Sequence, residues 1–397
     1  MKVSSPLRRG VLAAASAAVC GAIALTAYPA GAATASTGSD AGLTQRPARP
    51  DHIFLIMMEN HALRQVVGNP NAPYITALAH QYNLATNYHG VTHPSMPNYL
   101  ATISGSFQGI WDDCAAGATV TCAPEEFVPD SGDGTDTASL TPQQQASAST
   151  TPHMFSGRTL VDQLEAHDLS WKAYMQSLPS AGSEVVAAPV VDGTTVKLYT
   201  QKHNPFMYFS RINSPGNPRL QKIVPFVGNF ASDLERGTVP NFAWITPDQC
   251  HDMHGISTAA AALVNMPKCG SAQGWASGTD PGAIQMGDQF VKDTVQEITA
   301  SRTWKTTNSS IVIVWDENDY SGYSGGPGSP VGQDNVVLGG GDAPLIVVNS
   351  RGTRGTEWNQ PADHYTLLKT IETMWGLGCL ENTCDAATSG TVLSLFH

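Results

Sequence analysis

Short, unbroken apolar runs recur along the chain, and each ends abruptly in polar residues. They are His52-Ile-Phe-Leu-Ile-Met-Met58, Trp171–Met175, Asn241-Phe-Ala-Trp-Ile245, Ser310-Ile-Val-Ile-Val-Trp315 and Leu345-Ile-Val-Val348. Runs of this length without alternation predict strands buried on both faces, as in a parallel sheet. Between them the apolar positions fall at helical spacing. That pattern predicts helices over Pro73–Tyr82, about 158–168, Met286–Ala300 and Tyr365–Trp375. Residues 178–203 suggest a hairpin-like excursion, and Leu220–Glu235 mixes strand and helix signals. Strands alternating with helices imply an α/β fold with a mostly parallel central sheet flanked by helices. The stretches 109–155 and 255–283, together with the Gly-rich 321–341, read as loop-rich insertions.

The polar residues at the strand ends carry more information about chemistry than the strands themselves. In open α/β sheets, ligands bind at the carboxyl edge. Here the first strand ends in Glu59-Asn60 and the one near 313 in Asp316-Glu317. The one near 243 leads into Asp248, His251, Asp252 and His254. Carboxylates and an amide oxygen are hard donors that suit Mg²⁺, Ca²⁺ or Mn²⁺, with Fe or Zn open once histidine joins. A further segment, Thr92-His-Pro-Ser-Met-Pro-Asn-Tyr99, places Ser95 at the start of a short apolar helix. Free N–H groups there favour anions, which points to a nucleophile for a phosphoryl or sulfuryl group. The competing reading is an ordinary N-cap serine. The histidines, with His364 near the C-terminus, would bind phosphate oxygens or protonate a leaving alkoxide.

Composition sets the surroundings. Lys2, Arg8 and Arg9 precede an apolar run from Val11 to Ala27 and small-residue cleavage sites, the pattern of a secretory signal peptide over 1–35. Arg8-Arg9 leaves a Sec or a twin-arginine route open. Residues 36–50 read as a disordered linker, and 51–397 as a single catalytic domain. The net charge is −12, with no basic stripe, which argues against a nucleic-acid partner. The signal run is too short and too rich in Ala and Gly for a stable membrane anchor. Of the 7 cysteines, Cys20 leaves with the signal. The others fall into near pairs (Cys114 with Cys122, Cys250 with Cys269, Cys379 with Cys384), which in an exported protein suggests local disulfides. A four-cysteine zinc site lacks the Cys-x-x-Cys spacing it needs.

Several motifs together resemble the phosphoesterase family of bacterial acid phosphatases and non-zinc phospholipases C, within the alkaline-phosphatase-like superfamily. They are Met-Glu-Asn-His (58–61), His-Pro-Ser-Met-Pro-Asn-Tyr (93–99), Lys-His-Asn-Pro-Phe (202–206), Pro-Asp-Gln-Cys-His-Asp-Met-His (247–254), Trp-Asp-Glu-Asn (315–318) and His-Tyr-Thr-Leu-Leu-Lys-Thr-Ile-Glu (364–372). The likeness is strongest to short secreted acid phosphatases described as phosphatidylinositol-3-phosphatases. It implies an alkaline-phosphatase-like fold and a secreted, metal-dependent phosphomonoesterase acting on a phosphorylated small molecule or phospholipid head group. By that resemblance Ser95 is the nucleophile, passing through a phosphoserine, with His254 and His364 catalytic. Asn98, His203 and His251 would face the phosphate, and Glu59, Asn60, Ser95, Asp316 and Glu317 would hold the metal.

The two-zinc members of the superfamily carry an Asp at the first strand and an Asp-His pair at the later one. This chain has Glu59-Asn60 and Asp316-Glu317 there, which implies one principal divalent metal of open identity. A phospholipase C-type phosphodiesterase of the same family is the alternative; a chain that closes soon after its last helix favours the monoesterase. A sulfatase would need Cys/Ser-x-Pro-x-Arg, whereas Pro97 is followed by Asn98 and Tyr99. A non-catalytic protein holding structural Ca²⁺ would have no use for Ser95 or the histidines. The oligomeric state is not encoded in any of these patterns.

Overall fold

The apolar runs become neighbouring strands of one sheet. The computed structural model describes residues 49–396, apart from 118, 120–139, 149, 275, 277, 322–323 and 387–389. The expected signal peptide, nearly all of the linker, Cys122 and much of the 109–155 insertion lie outside the described residues. In chain order the sheet contains β1 (His52–Met58), β2 (Asn83–Ala85), β3 (Trp171–Met175), β4 (Ile223–Pro225), β5 (Phe242–Thr246), β6 (Ser309–Trp315), β7 (Leu345–Asn349) and β8 (Glu357–Trp358). Their order across the sheet is β8-β2-β7-β6-β1-β5-β3-β4. β6, β1, β5, β3 and β4 run parallel to one another, and β7 lies antiparallel to both β6 and β2. The fold is therefore α/β with a mostly parallel central sheet, as the apolar pattern predicts. β2 and β8 escape that pattern because they are two or three residues long and carry too few apolar positions to register.

The central strands are buried along nearly their whole length, from Ile53 to Met58 and from Ser309 to Trp315. Helices cover them: α1 (Pro73–Gln81) packs with α5 (Pro281–Ala300), and α2 (Ser95–Ser104) packs with α6 (His364–Trp375). α3 (Leu160–Ala166) and α4 (Phe226–Arg236) lie beside the β3–β4 end. α5 begins earlier than its apolar spacing predicts. Pro281 supplies a preset φ at its first position, and the Asp280 side chain accepts from the N–H groups of Gly282 and Ala283. The excursion at 178–203 is an antiparallel hairpin, Ala187–Val191 against Thr194–Thr200. Disulfides join Cys250 to Cys269 and Cys379 to Cys384, as proximity suggests, and Cys114 is also disulfide-bonded. Among the described residues no helix is long and apolar enough to cross a membrane.

Candidate active site

Sheet register creates the site. On adjacent parallel strands Met58 pairs with Trp315, so Glu59 and Asp316 leave the same edge side by side. β5 flanks β1 on its other side, and its following loop returns over that edge, where the Glu59 N–H donates to the Asp252 carbonyl at 2.9 Å. The glycine-rich segment closes the far flank: Gly340 N–H donates to the Gly90 carbonyl and Gly90 N–H to the Gly341 carbonyl, each at 3.0 Å. A Cβ on Gly90 would sit 2.7 Å from the Asp316 carbonyl oxygen, so only glycine allows this approach.

Ser95 is the first residue of α2, and the N-cap position before it is taken by Pro94. Its Oγ lies 3.0 Å from Glu59 Oε2 and 3.2 Å from Glu317 Oε1, and all three residues are buried. A hydroxyl has one proton to donate, so it cannot satisfy both carboxylates. Around it, burial pushes the Glu59 carboxyl up to about 7, although Lys202 opposes the rise. Burial and then the charge of Glu59 raise Asp316, Glu317 and Asp252 well above the usual carboxylate range. His203 lies between two of these acids, with Nε2 3.1 Å from Glu59 Oε1 and Nδ1 3.3 Å from Asp252 Oδ2. Its ring stacks on Tyr99 at 5.1 Å, and burial keeps it neutral.

A divalent cation fits this donor set. The donors are hard oxygens, and Asn60 Oδ1 and Asp316 Oδ2 are buried without a hydrogen-bond partner. So many acids in one buried pocket cannot all ionise unless positive charge joins them. Asn60 adopts φ 52°, a conformation asparagine tolerates, and its backbone N–H donates to Asp316 Oδ1 at 3.2 Å. A different trio, Asp112, Cys114 and His153, brings its potential ligand atoms within 4.8 Å of one another. Cys114 has no thiolate to offer, because its sulfur is in a disulfide, and Asp112 and His153 are bonded to each other at 2.6 Å. Donor chemistry therefore favours the Ser95 cluster over closeness alone.

The remaining expected residues divide by contact. His254 Nδ1 faces the Gly255 carbonyl at 2.8 Å, which leaves the Nε2 lone pair toward Lys202 Nζ at 3.4 Å. Burial, then the Lys202 charge, holds His254 down at about 3 and neutral. Asn98 Oδ1 accepts from Val91 and Thr92 N–H at 2.8 and 3.2 Å, and its Nδ2 donates to the Thr92 carbonyl at 2.6 Å, so it shapes the loop before Ser95. His364 accepts from the Tyr88 hydroxyl at Nδ1 (2.8 Å) and donates from Nε2 to the Asp316 carbonyl (2.6 Å). Burial holds it at about 4. Both ring nitrogens are thus engaged in bracing the strand end. His251 pairs with Asp248 at 2.7 Å and approaches Phe290, lining a separate cavity of about 450 Å³.

Sequence reasoning did not single out Lys202, Asp113 or His93. Lys202 Nζ donates to Asp113 Oδ2 at 2.8 Å, and His93 Nδ1 lies 2.6 Å from Glu317 Oε2. Burial works against the Lys202 charge, but the carboxylates of Asp113 and Glu59 outweigh it and raise its pKa. Lys202 and His93 sit within the motifs at 202–206 and 93–99, so their chemistry was visible although their direction was not.

The model of the Phosphoesterase family matches residues 68–268 and 271–378. This chain belongs to the Phosphoesterase family. The match takes in Ser95, His203, His254, Asp316, Glu317 and His364 and begins after Glu59-Asn60. A probable acid phosphatase of Kluyveromyces lactis is 25% identical over 82% of this chain and 58% of its own length. The phosphatidylinositol-3-phosphatase of Mycobacterium tuberculosis is 24% identical over 82% of this chain and 77% of its own. The chain thus spans little more than half of the yeast relative. A Vibrio parahaemolyticus protein in the alkaline phosphatase superfamily superposes with a TM-score of 0.44, at 12% identity, over 86% of this chain and 72% of its own.

Proposed function

We propose that this Phosphoesterase-family chain is a metal-dependent phosphomonoesterase with Ser95 as nucleophile. The observation that carries the reading is the buried Ser95 Oγ held between the Glu59 and Glu317 carboxylates at 3.0 and 3.2 Å. Glu59, Asn60, Ser95, Asp316 and Glu317 would hold one divalent cation, which when bound lowers the hydroxyl pKa and offsets charge on the phosphoryl oxygens. The Ser95 proton passes to an adjacent carboxylate, Oγ forms a bond to phosphorus, and the P–O ester bond breaks. The alcohol departs with the proton that this carboxylate took, leaving phosphoserine; water then cleaves the Ser95–phosphate bond, its oxygen joining phosphorus as orthophosphate and one of its protons restoring the Ser95 hydroxyl. His203 and His254 are neutral and line the buried pocket. Asn98 and His364 hold its backbone in place, while His251, paired with Asp248 and lining a separate cavity, takes no part in this step. Substrates are phosphorylated small molecules, with phosphoinositides included on the strength of the mycobacterial relative's name. Residues 51–397 act as one catalytic domain, and the disulfides support export to an oxidising compartment.

The test is Ser95→Ala. Phosphate release from small phosphomonoesters should fall at least ~10³-fold, by the scale of lost nucleophiles, with an unchanged circular dichroism spectrum. Turnover near the wild-type rate in a folded S95A protein would reject Ser95 as the nucleophile.

A further inference from the structure

Asp113 occupies a position that an anion would take. Its Oδ1 accepts from the Met96 N–H at 3.0 Å, the backbone group immediately after Ser95. Its Oδ2 accepts from Lys202 Nζ at 2.8 Å. Lys202 is itself only 13% exposed and has His254 Nε2 3.4 Å away. A backbone donor beside the nucleophile, a mostly covered ammonium and an imidazole thus surround one carboxylate that belongs to the protein. Asp113 precedes the disulfide-bonded Cys114, and its neighbour Asp112 is bonded to His153 at 2.6 Å. The carboxylate is therefore carried on a tethered segment rather than on α2 or the sheet.

We propose that Met96 N–H and Lys202 form a subsite for the non-ester oxygens of a doubly charged tetrahedral oxyanion, and that Asp113 is an internal competitor filling it. This rests on the phosphomonoesterase reading above. When substrate enters, its phosphate takes the two donors and the Asp113 carboxylate turns away. A dianion gains from the exchange because it brings more negative charge to Lys202 than the carboxylate it replaces. A singly charged diester exchanges one charge for another and gains nothing. Asp113 thereby acts as a specificity-determining residue that favours monoesters.

Binding of inorganic phosphate, followed by calorimetry on the purified full chain at fixed pH and salt, tests the assignment without requiring turnover. Asp113→Asn and Asp113→Ala should each bind phosphate about tenfold more tightly than wild type, since like-charge juxtaposition is among the costliest contacts at an anion site. Lys202→Gln should bind it about tenfold more weakly or worse. Dimethyl phosphate, with one charge, should bind wild type more weakly than inorganic phosphate and regain affinity in D113N. Equal or weaker phosphate binding in folded D113N and D113A would overturn the proposal, as would undiminished binding in K202Q. Phosphate release from a small monoester by wild type is read separately. Its absence defeats the phosphomonoesterase reading, whereas turnover with unaltered D113N affinity defeats only the role of Asp113.

Discussion

Two side chains at the site look alike as sequence and differ in what they can do. Ser95 has its hydroxyl between carboxylates, while His364 has no ring nitrogen to offer, because Tyr88 and the Asp316 carbonyl engage both. Removing the imidazole would leave a buried hydroxyl and a buried carbonyl unpaired, at ~1–3 kcal/mol each. His364→Ala should therefore lose about 2–6 kcal/mol of stability in urea unfolding together with a large part of the activity. Unchanged stability with abolished activity would instead mark His364 as a direct participant in the chemistry. Sequence shows that a histidine stands at this helix start. Which way its nitrogens point depends on Tyr88, which is 276 positions away.

At the level of elements, α3 is fastened to the β3–β4 end of the sheet through Glu165. Its carboxylate accepts from Lys222 Nζ at 2.6 Å, Arg219 Nη2 at 2.7 Å and Trp171 Nε1 at 2.8 Å. Burial alone would raise its pKa; the hydrogen bonds from Lys222, Trp171 and Arg219 outweigh that and bring it to about 2. The folded value lies below the ordinary 4.5, so this stabilisation is present above pH ~4.5 and is lost as the pH falls toward ~2. Glu165→Gln should flatten the decline of thermal stability in that acid window, with a difference of about 2–4 °C because solvent screens a partly exposed site. A decline as steep as that of wild type would show that other carboxylates govern acid unfolding. The elements themselves were largely readable, since buried strands and amphipathic helices leave periodic marks. β2 and β8 were not, because pairing within the sheet, β2 with β7 and β8 with β2, rather than their own residues makes them strands.

Across the whole molecule, the site gathers residues from distant parts of the chain, and this divides what sequence reveals from what it hides. Glu59 and Asp316 were legible because each follows a buried strand, and parallel pairing then brings strand ends together. Lys202 and Asp113 were not, because a 3₁₀ turn and an insertion loop carry them, and no periodicity says where such segments fold. The Cys250–Cys269 disulfide closes a loop of 19 residues beside Asp252 and His254. Closing a loop of that size is worth about 3 kcal/mol. Replacing both cysteines with alanine should lower unfolding stability by about that amount and raise proteolytic nicking between 250 and 269. A double variant as stable and as resistant as wild type would show that packing alone holds this loop.

The pairing of Met58 with Trp315 makes the sheet a gauge as well as a scaffold. Adjacent strands stand ~4.8 Å apart wherever backbone hydrogen bonds are made, so the roots of Glu59 and Asp316 have a spacing that no loop can widen or narrow. Changes in the insertions can therefore alter what reaches the site, while the room between those two acids stays fixed by the backbone.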